Sequence, residues 1–143
     1  MNINTFRIMD IAASGMTAER FRSEVISNNL ANANTTRTEN GGPYRRKIVT
    51  FKEVLNKNRT KRDEQLSGVR VSNLKEDNSP FRLVYDPGHP DADENGYVKY
   101  PNVNPLREMV DLIGAQRAYE ANVAVINSAK TMFNSALSIG RGA

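Results

Sequence analysis

The chain has no cysteine, so disulfides and cysteine-ligated metal sites are excluded; the absence fits either redox compartment and decides nothing about location. It has one histidine, and no second histidine or activated-nucleophile pattern stands with it. Gly41-Gly42-Pro43 lacks the Lys-Ser/Thr and following helix of a phosphate loop. No run of 18 apolar residues exists, so no transmembrane helix is expected. The N-terminus has no basic stretch ahead of an apolar one, and Arg7 and Asp10 interrupt the latter, so no secretory signal is expected. With 143 residues there is room for one domain. Apolar content is 38%, on the low side, and the net charge of +4 is modest.

What is present lies at the two ends. From Met109 a row runs Met109, Leu112, Gln116, Tyr119, Val123, Ile126, Lys130, Phe133, Leu137. Its alternating steps of three and four keep it on one helix face. A second row of mostly small residues lies beside it: Ala115, Ala118, Asn122, Val125, Ala129, Met132, Ala136, Ile139. Small residues permit close helix approach, which predicts contacts on more than one side. Asn104 suits an N-cap, Pro105 the first turn, Glu108 and Asp111 the positive helix end, and Gly140 a stop. A helix of about 35 residues is roughly 50 Å long, against a globular mean of about 11–12 residues.

The N-terminal stripe runs from about Ile3 to Ala33. Ile11, Ala18, Phe21 and Val25 form one row, and Ile26 and Leu30 extend the next. Gly15 interrupts it at a cost of about 1 kcal/mol against Ala; close packing and mere tolerance both account for it. The run Asn28, Asn29, Leu30, Ala31, Asn32, Ala33, Asn34, Thr35, Thr36 competes for backbone hydrogen bonds and ends the helix. The expected fold is mainly α with a small β region. Its organisation is a single domain, 1–143: an N-terminal helix over 1–34, loops and hairpins over 35–103, and a C-terminal helix over 104–140. The terminal helices are expected to pair in a coiled-coil-like arrangement. Stripes at both ends need covering, by each other, by further copies or by sister chains. The expected interface residues are therefore Ile11, Ala18, Phe21, Val25, Leu30, Met109, Leu112, Tyr119, Val123, Ile126, Phe133 and Leu137.

The middle reads as short strands at 47–55, around Val69 and Val71 to Leu74, at 81–85 and at 97–100, with an Asn95-Gly96 turn before the last. Residues 45–62 carry eight Lys/Arg (45, 46, 47, 52, 57, 59, 61, 62) against Glu53. Residues 86–94 carry Asp86, Asp91, Asp93 and Glu94 with no base. Complementary pairing between subunits is one reading of these blocks, and two solvated loops the other. Tyr44 and Phe51 in the basic block make a nucleic-acid or anionic-surface module the rival function, though no nucleic-acid fold is recognisable and no nucleic-acid partner is expected. Asp91-Ala-Asp93-Glu-Asn95-Gly96 begins like a calcium loop, but its twelfth position is Asn102 and Pro101 blocks an exit helix. His89 sits in Asp86-Pro-Gly-His-Pro-Asp91, a turn that explains it without chemistry. No catalytic, cofactor or metal residue is assigned.

Ser14-Gly15-Met16, followed by Val25-Ile26-Ser27-Asn28-Asn29-Leu30-Ala31-Asn32-Ala33-Asn34-Thr35, resembles the N-terminal signature of flagellar axial proteins of the basal-body rod and hook. Most of these continue into a Gly-aromatic pair. This chain continues Thr36-Arg37-Thr38-Glu39-Asn40-Gly41-Gly42-Pro43-Tyr44-Arg45-Arg46-Lys47, which resembles the proximal-rod branch of the family. The blocks Tyr85 to Asp93, Gly96 to Val98, Pro101 to Asn104, Glu108 to Asp111 and Arg117 to Asn122 agree, while residues 53–80 match less distinctively. The signature positions are Ser14, Gly15, Asn29, Asn32, Asn34, Thr35, Gly41, Gly42, Pro43, Tyr44, Asp111, Arg117, Tyr119 and Asn122. The resemblance implies a bacterial rod subunit, exported unfolded through the flagellar type III apparatus without a cleaved signal. It implies helical assembly across the periplasm, with itself, sister rod proteins and the MS-ring side of the base as partners, and terminal helices lining the tube's inner wall. Torque transmission and enclosure of the export channel follow, with no enzyme activity.

Overall fold

A computed structural model of the chain describes residues 3–39, 41–54 and 68–141. Two long helices, α1 (Ile3–Ala31) and α2 (Pro105–Arg141), flank four strands: β1 (Lys47–Glu53), β2 (Val69–Glu76), β3 (Arg82–Tyr85) and β4 (Tyr97–Tyr100). The fold is mainly helical and partly β, as the stripes and alternations predict. The strands make two two-stranded sheets, β1 with β2 and β3 with β4. Leu55 of the expected first strand, and Lys57, Arg59, Lys61 and Arg62 of the basic block, lie outside the described residues.

The helix ends follow local chemistry. The Asn104 side-chain oxygen accepts from the N–H groups of Leu106 (3.1 Å) and Arg107 (3.2 Å), and Pro105 opens the first turn, where its missing N–H costs nothing. At the end of α1 the Asn32 amide donates to the Asn28 carbonyl (2.9 Å) while its oxygen accepts from the Thr35 hydroxyl (3.1 Å), so the Asn-rich run turns the chain as expected. Gly140 does not stop α2, which continues through Arg141. A helix is ended there by a glycine in the left-handed conformation, and among the described glycines only Gly41, Gly42 and Gly96 have positive φ.

Two compact units are built from these elements. Unit 1 comprises Met1–Arg22, Phe51–Ser72 and Gly114–Ala143. Within it α1 and α2 meet antiparallel. The Phe6 and Phe133 rings sit edge to face, centroids 5.7 Å apart, and a Cβ on Gly15 would lie 3.0 Å from the Asn122 amide nitrogen. Gly15 thus serves close approach, which resolves the alternative left open above. The Ser14 hydroxyl donates to the Ile11 carbonyl (2.7 Å) and accepts from the Val69 N–H (3.0 Å), tying the start of β2 to α1. The fully buried apolar residues described in this unit are all alanines: Ala12, Ala18, Ala115 and Ala129.

Unit 2 comprises Ser23–Thr50 and Asn73–Ile113. Its buried residues are mostly larger: Val25, Ile26, Val98, Val103 and Pro101 beside Ala33, with Asn29 and Glu108 among them. Strands β3 and β4 pair antiparallel with Val84 opposite Val98 and Tyr85 opposite Tyr97. Alternation turns Val98 inward and leaves Leu83, Tyr85 and Tyr97 on the outer face. The turn into β4 requires glycine: Gly96 has φ +78°, and a Cβ there would come within 2.9 Å of the Tyr85 ring.

The two units differ in what burial can contribute. A buried Val or Ile is worth about 1.5–3 kcal/mol, whereas an alanine brings one methyl, about 0.8 kcal/mol per carbon. In the free chain, amides of residues 25–29 and of Val98 are therefore expected to exchange far more slowly than those of residues 9–18 and 115–129. Hydrogen exchange on a dilute monomer checks this. Equal strong protection of both sets would show that alanine packing alone suffices.

Candidate assembly site

The most polar part of the interior lies in unit 2 and joins signature residues far apart in sequence. Asn29, one turn from the end of α1, is 1% exposed, and Glu108, in the first turn of α2, is 0% exposed. The Asn29 amide donates to Glu108 Oε2 (3.0 Å) and to the Lys47 carbonyl (2.8 Å). Its oxygen accepts from the Lys47 N–H (2.9 Å) and the Tyr44 hydroxyl (3.0 Å). Both donors and both lone pairs of the side chain are thereby used. The paired bonds to Lys47 imitate a neighbouring strand, so the amide covers the sheet edge where β1 begins.

Arg46 supplies the countercharge. Its Nε donates to Glu108 Oε1 at 2.7 Å, and its two terminal nitrogens lie 3.7 Å from Asp77 and Asp111. Its backbone N–H donates to the Asn102 side chain (2.8 Å), which itself donates to the Asp77 carbonyl (2.8 Å) and the Ser79 hydroxyl (2.9 Å). Burial, then the charges of Glu108 and Glu76, push the Tyr44 hydroxyl above its usual 10.0, because ionising it would place an anion among carboxylates. Hydrogen bonds from the Ser79 backbone and side chain hold Asp77 below its usual 3.8, with Arg46 and Arg107 adding to the effect.

The segment that delivers Tyr44 and Arg46 is shaped by Gly41 and Gly42, with φ of +81° and +75°. Thr38 closes the turn: its N–H donates to the Gly42 carbonyl (2.9 Å) and its carbonyl accepts from the Gly41 N–H (2.9 Å). The Tyr44 N–H then donates to the Thr35 carbonyl (3.0 Å).

Most other predicted positions are placed by the same contacts. Ala18 and Val25 are buried inside the chain; Ile11, Phe21, Leu30, Leu112, Val123, Ile126 and Phe133 are half-buried; Met109, Tyr119 and Leu137 are exposed. Asn34 and Arg117 are exposed, and Pro43 is half-buried beside the glycine turn. Of the small row on α2, Ala115 and Ala129 are buried and Ala118 and Asn122 half-buried, while Val125, Met132, Ala136 and Ile139 are exposed; Glu108, seven residues before Ala115, is buried too. Sequence reading missed the outward stripe Leu106, Val110, Ile113, whose four-then-three spacing was there to find. Within the chain the charge blocks take other partners. Arg45 lies 4.3 Å over the Phe81 ring, Lys47 5.9 Å over Tyr44, and Arg46 inside the network, while Asp91 takes the Thr36 hydroxyl (2.8 Å) and lies 3.8 Å from Arg37. His89 accepts the Asp91 N–H at Nδ1 (3.1 Å), the turn role its prolines suggest.

Asn29, Glu108, Tyr44 and Asn122 are the signature or block residues of the resemblance, and here they make the long-range contacts of both units. Comparison with known proteins agrees. A profile described as "Flagella basal body rod protein" matches residues 9–37, and one described as "Flagellar basal body rod FlgEFG protein C-terminal" matches residues 94–139. The flagellar basal-body rod protein FlgC of Borreliella burgdorferi is 49% identical, the alignment covering 96% of this chain and 98% of that one. Those of Bacillus subtilis (46%; 97% and 100% covered) and Salmonella typhimurium (41%; 94% and 96%) are similar too. The chain belongs to the FlgC family of flagellar basal-body rod proteins. As a member it is a structural protein of the flagellar basal body, not an enzyme. Among the described residues, no helix is long and apolar enough to cross a membrane.

Removing one partner strands the rest of the network. Asn29→Ala removes a partner from Glu108 Oε2, the N–H and carbonyl of Lys47 and the Tyr44 hydroxyl. Of these residues only Glu108 is fully buried. At about 1–3 kcal/mol for an orphaned buried group, more for a charged one, the expected cost is about 2–4 kcal/mol in denaturant unfolding. Tyr44→Phe is milder, about 0.5–1.5 kcal/mol for one hydrogen bond. Because the folded chain holds the Tyr44 proton more tightly than the unfolded one, this contribution is complete below pH 10 and fades as pH rises through the raised value. The gap between wild type and Tyr44→Phe is therefore expected to close under alkali; a gap independent of pH would show that folding does not raise the hydroxyl's pKa.

Proposed function

We propose that this chain is a subunit of the proximal rod, assembling helically with itself and sister rod proteins to transmit torque and enclose the export channel. In this reading residues 1–143 are one axial-protein domain, and both compact units draw on both terminal helices. The helices pair in a coiled-coil-like manner, and the exposed members of the predicted set, Met109, Tyr119 and Leu137, face neighbouring subunits. The chain reaches the periplasmic rod through the type III apparatus without a cleaved signal, and it meets the MS-ring side of the base.

The observation that carries the reading is the weak alanine core of unit 1 beside apolar side chains left in solvent. A chain with α2 of 37 residues and so little of it covered by large side chains has its stabilising contacts in an assembly. The rival nucleic-acid reading loses its strongest residues, since Arg45, Arg46 and Lys47 are engaged with Phe81, Glu108 and Tyr44.

Met109→Asp separates assembly from folding better than a change at half-buried Val123 or Ile126, because Met109 is exposed. The variant is expected to keep wild-type helicity by circular dichroism and to be absent from purified basal bodies, with motility lost. Normal motility would remove Met109 from the interface. Salt-dependent binding of the isolated chain to DNA, without self-association, would overturn the reading as a whole.

A further inference from the structure

We propose that the first turns of α2 in one copy dock on the outer face of the β3–β4 hairpin in the next copy. The proposal rests on the self-assembly reading above and names its surfaces. Both faces belong to unit 2 and both leave apolar side chains uncovered, although the hairpin face also carries exposed Lys99 opposite Leu83. On α2, Leu106 is 73% exposed and Val110 63% exposed, with Ile113 also exposed. Their spacing places them on one stripe, opposite buried Glu108, over about 10 Å of helix. On the hairpin, Leu83 is 60% exposed and Tyr85 65% exposed, and Tyr85 stacks edge-on against exposed Tyr97 at 5.3 Å. Gly96 leaves room for the Tyr85 ring to lie against the turn, and the ring's edge-on contact with Tyr97 exists within the chain itself. Two tyrosines beside a leucine are the kind of anchor on which interface energy concentrates.

The rims decide the occupant. The hairpin face is bordered by the loop carrying exposed Asp86, Asp93 and Glu94. The helix stripe is bordered by exposed Arg107. Hairpin against hairpin would bring the acidic loop against itself, and helix against helix would bring Arg107 against itself. Helix against hairpin sets Arg107 against the three loop acids, which outnumber Lys99 on that face, around apolar centres. Such a contact uses two different patches of one chain, so it does not close on itself but propagates from copy to copy. The acidic loop acquires the intersubunit role that its sequence suggested, with Arg107 rather than the 45–47 block as its counterpart.

The chain lacks cysteine, so introduced thiols are unique. Full-length Tyr85→Cys and Val110→Cys chains are mixed over a concentration series with a short bis-maleimide. The mixed dimer is expected to exceed either variant's own dimer about tenfold, the ratio that 1.4 kcal/mol of preference gives. Leu83→Ser and, separately, Val110→Lys are each expected to weaken wild-type self-association at least about tenfold by sedimentation, with helicity unchanged. If the chains associate but like-with-like dimers equal or exceed the mixed one, the proposed contact is wrong and the rod reading stands. If no association occurs at any concentration, both fall.

Discussion

Glu108 is a carboxylate with no exposed side-chain surface, and a charge so placed is tolerated only where partners replace the water it has lost. Here the partners come from three stretches of chain. Asn29 belongs to α1, Arg46 to the residues just before β1, and Glu108 itself to α2. None can be satisfied unless all three are in register. An apolar seam would tolerate a slip of one helix along the other; a fully used amide opposite a buried carboxylate does not. The rest of unit 2 is arranged around that requirement. Asn102 fixes the Arg46 backbone, Asp77 and Asp111 flank its guanidinium, and Tyr44 closes the last lone pair of Asn29.

Unit 1 is built on the opposite principle. Its buried positions are alanines, and its closest approach is a glycine against Asn122. Small side chains bring backbones together but remove little apolar surface from water. Geometry is thereby specified more strongly than stability, which suits a segment completed by neighbours. The larger apolar residues of α2 divide: Phe133 packs on Phe6 and Val123 and Ile126 are half-buried, while Tyr119, Val125, Met132, Leu137 and Ile139 are exposed. Neither heptad row is wholly inward, and the fully buried positions of the seam are the alanines.

That division shows where the sequence is legible. Periodicity places both helices and all four strands, and Asn104-Pro105 marks the start of α2, because these depend on neighbours within a few residues. Gly15's role, by contrast, depends on Asn122, more than a hundred positions away. Glu108 illustrates the limit: its place in the first turn of α2 gives it a sufficient local explanation as a helix-dipole residue, which hides its burial against Asn29. Arg46 is likewise lost in a run of three bases, where composition suggests a solvated or intersubunit face. Gly140 fails for a local reason, since glycine ends a helix only when the following chain turns away. The outer stripe Leu106, Val110, Ile113 was overlooked because two richer rows on the same helix had already accounted for its apolar content.

The signature and its unusual continuation are two halves of one device. Asn29 on α1 needs a donor for its second lone pair and a backbone to pair with; Tyr44 and Lys47 supply them. The chain can bring those residues back to the end of α1 only by reversing within a short loop. Two consecutive left-handed residues make that reversal, and glycine occupies both without strain. The Gly41-Gly42-Pro43-Tyr44 block therefore has a structural meaning within unit 2: it brings Tyr44 and Arg46 to Asn29 near the end of α1 and Glu108 at the start of α2.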